Sequence, residues 1–511
     1  MATPANPRIL VVTPEVSALP VAAAAEAQHI AARAGGLGDV CAGLVHQLQA
    51  AGADVHVAMP NYRNIFRRKI VHLPEACTVP ANNCTLHLVQ DRSFYYPRQL
   101  LVDTGWDNVK IALAFQREVM HQVLPEVRPD LIHCHDWMTG LLPPLARSLG
   151  IPCLFTLYNL NSVQLPLALI EELGIDAAAF WHHCYYADMP GTYEETRQTN
   201  PADLLASAVF AADHVNTVSH AFLRQIMDPG CDFIAPALKA ELRGKYSSGR
   251  LSALGQVPAP HYDPAADKSL FRRYDANGHP SGKAFNKLRL QELLNLRMDT
   301  RTPLFFWPTR LGGARRGCWM MAELLPGLLA RYAAQGLQVV FIADGDLHDH
   351  FRGLVHDLDA GDRVAVLNYD PGRQHLAFGA ADFVLMAVQY EPCGMPCKIG
   401  QRYGALPVGH ATGGISDRVT PLVAAADRGN GFLFEHFDVQ GLGWAIDQAM
   451  AFYALPDAVR ARQIARVMSA AGRREDDLAA TAAYIDCYER LLARPLDHLR
   501  ESLQAPAQQV A

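Results

Sequence analysis

Residues 382–411 read DFVLMAVQYEPCGMPCKIGQRYGALPVGHA, and this stretch decides the fold. The apolar run DFVLMAV (382–388) is typical of a buried β-strand. Gly394 and Pro396 mark the start of a short helix, because proline suits the first helical position, where its missing N–H costs no hydrogen bond. A second strand-like run, LPVGHA, covers 406–411. Strand, helix and strand in this order predict a βαβ unit with parallel strands.

The same alternation runs through both halves of the chain. Strands are predicted over 8–16, 54–60, 131–136, 153–159 and 214–219 and, in the second half, over 303–310, 337–346, 363–370, 382–388 and 406–411. Helices are predicted over 35–52, 138–149 and 202–211 and between the strands of the second half. Residues 226–290 hold Pro, Gly, Ser and charged residues with little periodicity, which predicts a junction.

These patterns predict an α/β protein with two doubly wound, Rossmann-like domains that face a central cleft. We predict an N-terminal domain over residues 1–255 and a C-terminal domain over 256–475. The stretch 456–503 is typical of two helices, and we predict that a C-terminal helix in 476–511 crosses back onto the N-terminal domain.

Composition excludes several classes of protein. The chain has 511 residues, of which 50% are hydrophobic and 19% charged, and a net charge of −6. No basic block or long apolar run stands out, so we expect neither a nucleic acid nor a membrane as a partner. The N-terminal residues lack the pattern of a signal peptide. The eleven scattered cysteines are typical of reduced thiols in a cytoplasmic protein.

Candidate site residues follow the predicted strands, because ligands of open parallel sheets bind beyond the carboxyl ends of the strands. The turn 33–38 opens a helix with glycines and N–H groups that suit an anion, although an ordinary turn explains it equally well. Asp136 could accept sugar hydroxyls or cap the next helix. His133 and His135 lie on the opposite sheet face from Cys134, so we predict no metal site there.

Cations and a carboxylate follow strands of the second half. Arg310 ends a strand, with Arg315 and Arg316 just beyond, and these suit a departing diphosphate unless they form a solvated turn. Glu391 precedes the helix start at Gly394, whose amides can hold a phosphate while the carboxylate meets a sugar. The sequence DGD (344–346) predicts a tight turn rather than a metal site.

These residues together closely resemble the glycogen and starch synthases, which are retaining glycosyltransferases with two Rossmann-type domains (GT-B). The resemblance extends over most of the chain. Its motifs include AGGLGDV (34–40), RPDLIHCHDWMTGL (128–141), LFTLYNL (154–160), YEPCGM (390–395) and QRYGALPVGHATGGISDRV (401–419).

The resemblance implies transfer of a glucosyl group from ADP-glucose to the non-reducing end of an α-1,4-glucan, with retention and with no metal or cofactor. The N-terminal domain would be the acceptor side and the C-terminal domain the nucleotide-sugar side. The implied catalytic residues are Asp136, Tyr158, Arg310, Arg315 and Glu391. The implied donor-binding residues are Arg33, Gly35, Gly36, Tyr369, Gly394, Met395, Gly413 and Gly414.

Several positions depart from the family pattern. Arg33 stands in place of a lysine, and residues 21–32 are additional. The second cation, Arg315 or Arg316 if the turn is shifted, is also a lysine in the family. Tyr158 replaces a histidine that contacts the donor sugar. The segment 255–258 is GQVP instead of NGID, and 391–397 is EPCGMPC instead of EPCGLTQ.

Two hypotheses follow from these departures. The first is an active glycosyltransferase of the glycogen and starch synthase type. The second is a catalytically impaired relative that acts as a glucan-binding or regulatory protein. A nicotinamide-linked oxidoreductase is disfavoured, because the glycine-rich turn lacks the G-x-G-x-x-G spacing.

Overall fold

The computed structural model describes residues 6–18, 36–67, 78–81, 83–97, 104–231 and 233–504. The chain divides into two compact units, one comprising Met1–Ala259 with Glu475–Ala511 and the other Pro260–Arg474. The domain limits expected from the sequence, 1–255, 256–475 and 476–511, stay a prediction. No helix among the described residues combines the length and the apolar character that crossing a membrane requires.

The first unit contains ten described strands and ten helices before residue 259. The strands are β1 (Arg8–Val12), β2 (Asp54–Pro60), β3 (Thr78–Ala81), β4 (Cys84–Val89), β5 (Leu131–His135), β6 (Cys153–Leu157), β7 (Gln164–Leu165), β8 (Ala202–Asp203), β9 (His214–Thr217) and β10 (Leu251–Ala253). The helices are α1 (Gly36–Ala50), α2 (Arg63–Arg67), α3 (Trp106–Glu118), α4 (Leu124–Val127), α5 (Leu142–Ser148), α6 (Leu167–Glu172), α7 (Tyr193–Thr199), α8 (Leu204–Ala211), α9 (His220–Met227) and α10 (Pro236–Ser247).

The second unit has six described strands. They are β11 (Leu304–Trp307), β12 (Gln338–Ile342), β13 (Val364–Leu367), β14 (Phe383–Met386), β15 (Leu406–His410) and β16 (Phe432–Phe434). Its helices are α11 (His279–Leu293), α12 (Cys318–Arg331), α13 (His348–Asp357), α14 (Pro371–Ala380), α15 (Met395–Arg402), α16 (Gly413–Arg418), α17 (Val439–Tyr453) and α18 (Asp457–Ala471). Helices α19 (Arg474–Leu492) and α20 (Asp497–Gln504) follow.

Both main sheets are doubly wound. The eight-stranded sheet has the order β10-β9-β6-β5-β1-β2-β4-β3, and the six-stranded sheet has the order β13-β12-β11-β14-β15-β16. Strand pairs are parallel in both, except for β3 with β4. The direction of winding reverses between β1 and β5 and between β11 and β14. Ligands of open α/β sheets bind at such switch points, so a ligand is expected beside the residues that follow these four strands.

The sequence pattern explains these elements. Strands β5, β6 and β12 are buried along their whole length, as parallel strands covered on both faces are. In the second unit, Phe305, Phe341 and Phe383 of the sheet pack into one core with apolar residues of α12 and α17. The predicted α/β class with two Rossmann-like sheets is confirmed.

Helix α19 packs on the sheet of the first unit. The hydroxyl of Tyr488 lies 2.9 Å from His133 Nδ1 on β5, and the hydroxyl of Tyr484 accepts from Asn216 on β9 at 3.4 Å. The C-terminal part of the chain therefore returns to the N-terminal unit, as predicted.

Two stretches hold more structure than the sequence predicted. The junction over 226–290 contains α10, β10 and the first part of α11, whose short apolar repeats are interrupted by charged residues. The stretch 456–503 contains most of three helices, because α20 follows α19 after a short turn.

Candidate active site

The glycine-rich turn after β1 lies mostly outside the described residues. Arg33 and Gly35 are among the residues that are not described, and Gly36 is the first residue of α1. Apart from its chain neighbours and its own helix, no heavy atom lies within 4 Å of the position a Cβ on Gly36 would take. The predicted contact of this turn with a diphosphate stays a prediction.

Asp136 directly follows β5 in a strained and buried position. Its backbone has φ 68° and ψ 172°, a region that residues other than glycine rarely adopt and that is concentrated at functional sites. The side chain does not cap the short turn that follows. Instead, Asn159 Nδ2 donates to both carboxylate oxygens, at 2.8 and 2.6 Å. The strand end thus holds a fixed carboxylate.

Burial raises the pKa of Asp136 to about 7, against the opposing hydrogen bonds from Trp137 and Asn159. Because its ordinary pKa is 3.8, the folded chain binds one more proton than the unfolded chain between about pH 4 and 7. The free energy of unfolding therefore falls as the pH rises through this window and stays low above it.

We expect Asp136→Asn to remove this pH-dependent fall in the free energy of unfolding. The isosteric amide can still accept from Asn159 and carries no charge, so the variant should be more stable than the wild type by about 1–3 kcal/mol at pH 8. The two proteins should be nearly equal near pH 4.5. Urea unfolding at both pH values measures the difference, with Asp188→Asn, an exposed aspartate, as the control. An equal gain at both pH values would contradict the raised pKa.

Tyr158 follows β6, on the same side of the sheet as His135. Its hydroxyl lies 3.0 Å from His135 Nδ1 and 4.0 Å from Cys41 Sγ on α1. The side chain is buried. The structure thus places the predicted residues Asp136 and Tyr158 at neighbouring strand ends, β5 and β6, which pair in parallel.

In the second unit, three arginines follow β11, and they differ in their surroundings. Arg315 is exposed, whereas Arg310 and Arg316 are half-buried. Burial lowers the pKa of Arg316, the nearby charge of Arg310 adds to this, and the Glu391 carboxylate opposes it. Arg316 therefore lies within electrostatic range of both Arg310 and Glu391. The role assigned to Arg315 stays a prediction.

Glu391 lies beyond the end of β14, in the turn before α15. Its Oε1 accepts the backbone N–H of Gly394 at 2.9 Å and that of Cys393 at 3.3 Å. Its own carbonyl accepts the N–H of Gly414 at 2.7 Å. The carboxylate is therefore held by its own turn, and the turn is held by the TGG segment.

Gly394 and Gly414 approach each other backbone to backbone. Gly394 precedes α15 with φ 67°, and a Cβ on it would lie 2.7 Å from Gly414 C. A Cβ on Gly414 would lie 2.2 Å from both C and O of Cys393. Gly413 has φ 40°, and Met395 is the first residue of α15. The structure brings these four predicted residues together beside Glu391.

Tyr369 follows β13 and is half-buried. Its backbone N–H donates to Asp344 Oδ1 at 3.0 Å. A Cβ on Gly345, which has φ 153°, would lie 2.0 Å from Leu311 O, so DGD forms a tight turn that closes on the loop after β11. Among the described residues, no group of three or more His, Cys, Asp or Glu side chains is arranged to hold a metal ion.

The carboxyl edge of the second sheet therefore carries two arginines, a carboxylate and a helix N-terminus at one switch point. The N–H groups of Cys393 and Gly394 are taken by Glu391, and that of Cys397 is taken by Gly394 O. The two arginines suit a diphosphate, and the carboxylate suits hydroxyl groups or a developing positive charge.

Comparisons with known proteins agree with this arrangement. A family model described as the starch synthase catalytic domain matches residues 8–238. A glycogen synthase of Syntrophotalea carbinolica is 30% identical over 464 residues, which cover 83% of this chain and 90% of that protein. The chain belongs to the glycogen and starch synthase family. A glycogen synthase of Geotalea uraniireducens is 29% identical over 460 residues, covering 82% of this chain and 88% of that protein.

Solved structures show the same fold. The catalytic domain of starch synthase IV from Arabidopsis thaliana, bound to ADP and acarbose, superposes with a TM-score of 0.76. It is 22% identical and covers 96% of this chain and 100% of that chain. This member of the glycogen and starch synthase family, a family of glycosyltransferases, therefore has the GT-B fold.

Sequence reasoning missed two residues that shape the site of this family member. Asn159 holds Asp136, and its position directly after Tyr158 at a strand end was the available signal. His410 ends β15, with Nδ1 3.0 Å from Val388 O and Nε2 3.2 Å from Glu435 O. It links the chain beyond β14 to the chain beyond β16, and no pattern in the sequence indicated this.

The close approach of Gly394 and Gly414 predicts that a side chain larger than hydrogen at position 414 destabilises the protein. Gly414→Ala should cost about 2–4 kcal/mol of unfolding free energy, because its Cβ would overlap backbone that cannot move without displacing Glu391. Gly327→Ala is the control, since it lies inside α12 and, apart from its chain neighbours and its own helix, no heavy atom lies within 4 Å of the added Cβ. This control should be stabilised by up to about 1 kcal/mol. Denaturant unfolding compares them, and an unchanged G414A would contradict the packing.

Proposed function

We propose that this protein transfers a glucosyl group from ADP-glucose to the non-reducing end of an α-1,4-glucan, with retention of the anomeric configuration. The observation that carries the proposal is the electrostatic group of Arg310, Arg316 and Glu391 beside the start of α15. A nucleoside diphosphate linked to a sugar has the charge distribution that this group matches.

The relatives support the donor and the acceptor. The proteins of Syntrophotalea carbinolica and Geotalea uraniireducens are named glycogen synthases. The structure of starch synthase IV was solved with ADP and acarbose bound. We assign ADP to this chain as the leaving group on that basis, and the family resemblance implies that Tyr369 lies near the adenine.

In the proposed reaction, the bond from the anomeric carbon to the β-phosphate oxygen breaks as a bond forms to the acceptor hydroxyl on the same face. Arg310 and Arg316 neutralise the charge that develops on the departing ADP. Glu391, held by the amides of Cys393 and Gly394, faces the positive charge on the sugar. The acceptor proton passes to the departing phosphate oxygen, so the step needs no separate general base, and the two arginines take the part that a metal ion would have in neutralising the diphosphate. Asp136 binds sugar hydroxyls.

The test is the transfer of labelled glucose from ADP-glucose into glycogen by the wild-type protein, with UDP-glucose in parallel. We expect incorporation from ADP-glucose and release of the label by β-amylase, which digests α-1,4 chains from the non-reducing end. Nuclear magnetic resonance of the product should show α-linked glucose. If neither ADP-glucose nor UDP-glucose gave incorporation, with donor and glycogen both in excess, the proposal would be refuted. Incorporation from UDP-glucose alone would refute ADP-glucose as the donor.

A glucan-binding relative without turnover is the second candidate, and one observation favours it. In the altered segment 255–258, Gln256 is directed into the core, where its Nε2 donates to Tyr484 at 2.7 Å and to Leu254 O at 2.8 Å. The polar side chain of this segment therefore serves packing. Retention of the protein on a glycogen gel, together with absence of transfer from both donors, would favour this candidate.

A further inference from the structure

Two side-chain pairs tie the carboxyl ends of β5 and β6 together. His135 ends β5 and is followed by Asp136, while Tyr158 and Asn159 follow β6. His135 Nδ1 lies 3.0 Å from the Tyr158 hydroxyl. Asn159 Nδ2 donates to both carboxylate oxygens of Asp136. The pair His135 and Asp136 at the end of β5 is therefore bonded to the pair Tyr158 and Asn159 at the end of β6.

The hydroxyl of Tyr158 is directed into the core. Besides His135, it lies 4.0 Å from Cys41 Sγ, and that thiol lies 3.3 Å from Thr13 Oγ1 beyond β1. Tyr158 is 8% exposed, and His135 and Cys41 are fully buried. A hydroxyl engaged in this buried chain of polar groups is turned away from any ligand in solvent.

The ring of His135 depends on this bond. Burial lowers the pKa of His135 to about 3, so the imidazole is neutral. Its Nε2 has no hydrogen-bond partner within the part of the chain that the structure describes. The neighbouring His133 differs, because Tyr488 at 2.9 Å and Thr156 at 2.6 Å contact its two nitrogens.

The amide of Asn159 is preset for its contact with Asp136. Its Oδ1 accepts the backbone N–H of Asn161 at 2.9 Å. This bond assigns the oxygen to one side of the amide and leaves Nδ2 facing the carboxylate. Placement of Asn159 in turn depends on Tyr158, which precedes it and is anchored in the core.

We propose that Tyr158 is a positioning residue for Asp136, acting through His135 and Asn159, and that it does not itself bind the transferred sugar. This inference rests on the proposed function, because that function requires Asp136 to bind sugar hydroxyls during glycosyl transfer. Tyr158 then differs in kind from the histidine that the family resemblance implied at this position.

Steady-state kinetics of Tyr158→Phe test the inference. The variant keeps the ring and loses the hydroxyl, so kcat should fall about tenfold through misplacement of Asp136. The KM for ADP-glucose should change less than about twofold, because Tyr158 itself makes no sugar contact and the displaced Asp136 is expected to weaken the transition state more than the ground state. A raised KM with an unchanged kcat would overturn the inference. So would a rate increase in Tyr158→His, since that variant restores the sugar ligand of the family.

Tyr488→Phe is the matched control. It breaks a buried tyrosine–histidine bond of similar length on the same strand, to His133 instead of His135. It should lose as much stability as Tyr158→Phe and keep the wild-type kcat. Equal falls in kcat for the two variants would show that Tyr158 has a structural role only.

A second readout does not depend on activity. Comparing urea unfolding with and without Asp136→Asn across pH gives the apparent pKa of Asp136. Tyr158→Phe and Asn159→Ala should each raise this pKa, by about half a unit or more, because the hydrogen bonds from Asn159 favour the ionised carboxylate. Tyr488→Phe should leave it unchanged, and an unchanged value in Tyr158→Phe would overturn the inference. If the wild type transfers no glucose, the proposed function fails. This titration still decides whether Tyr158 positions Asp136.

Discussion

Glu391→Gln is expected to lower kcat for glucosyl transfer at least about a hundredfold, with little change in the KM for ADP-glucose. The side chain is held by the N–H groups of Cys393 and Gly394, and a glutamine oxygen can accept both bonds. The geometry is therefore preserved while the negative charge is lost. In the proposed reaction, that charge stabilises the positive charge that develops on the sugar as ADP departs, so its loss should raise the transition state more than the ground state.

Glu323→Gln controls for the change in net charge. Glu323 is exposed on α12 of the same unit, and the variant should transfer glucose at the wild-type rate. Both proteins are compared in the labelled ADP-glucose assay at saturating donor. Retention of more than a tenth of the wild-type kcat by E391Q would contradict the role assigned to this carboxylate.

The second large effect concerns the arginines after β11. Arg310→Ala and Arg316→Ala should each lower kcat about 100- to 1,000-fold, because in the proposed reaction each removes a cation that neutralises the departing diphosphate. The exposed Arg315→Ala should cost less than about tenfold. We expect the larger effect at Arg316 than at Arg315, because the charge of Arg316 interacts with the charges of both Glu391 and Arg310.

Product inhibition by ADP provides an independent measure of the same contacts. Its inhibition constant should rise in R310A and R316A, and Arg352→Ala, an exposed arginine on α13, should leave it unchanged. If R315A proved the most damaged of the three, the turn would bind the diphosphate through Arg315, as the sequence alone predicted, and the role proposed for Arg316 would be wrong.

The architecture was predictable because the decisive patterns are local. Apolar runs such as LIHCHD and DFVLMAV, each followed by a turn and a helix, imply parallel strands irrespective of the remainder of the chain. Candidate residues are then expected just beyond the ends of these strands. Asp136, Arg310 and Glu391 do follow β5, β11 and β14.

What was not predictable depends on contacts between distant segments. Tyr158 meets Cys41 across 117 residues of sequence, so the direction of its hydroxyl could not be inferred from the motif around it. The φ of 68° and ψ of 172° at Asp136 lie in a region that residues other than glycine rarely adopt, and no local pattern in the sequence indicates it. The choice between Arg315 and Arg316 depends on the turn at Gly317, where an added Cβ would lie 1.9 Å from Ala387 O.

A crystal structure of the protein with ADP would test the central claim most directly. That claim is that the carboxyl edge of the second sheet, at Arg310, Arg316 and the start of α15, binds the diphosphate of the donor. We predict that phosphate oxygens lie within hydrogen-bond distance of both guanidinium groups, with the Glu391 carboxylate on the side where the sugar would continue. Diphosphate density at any other place, or its absence at saturating ADP, would contradict this claim.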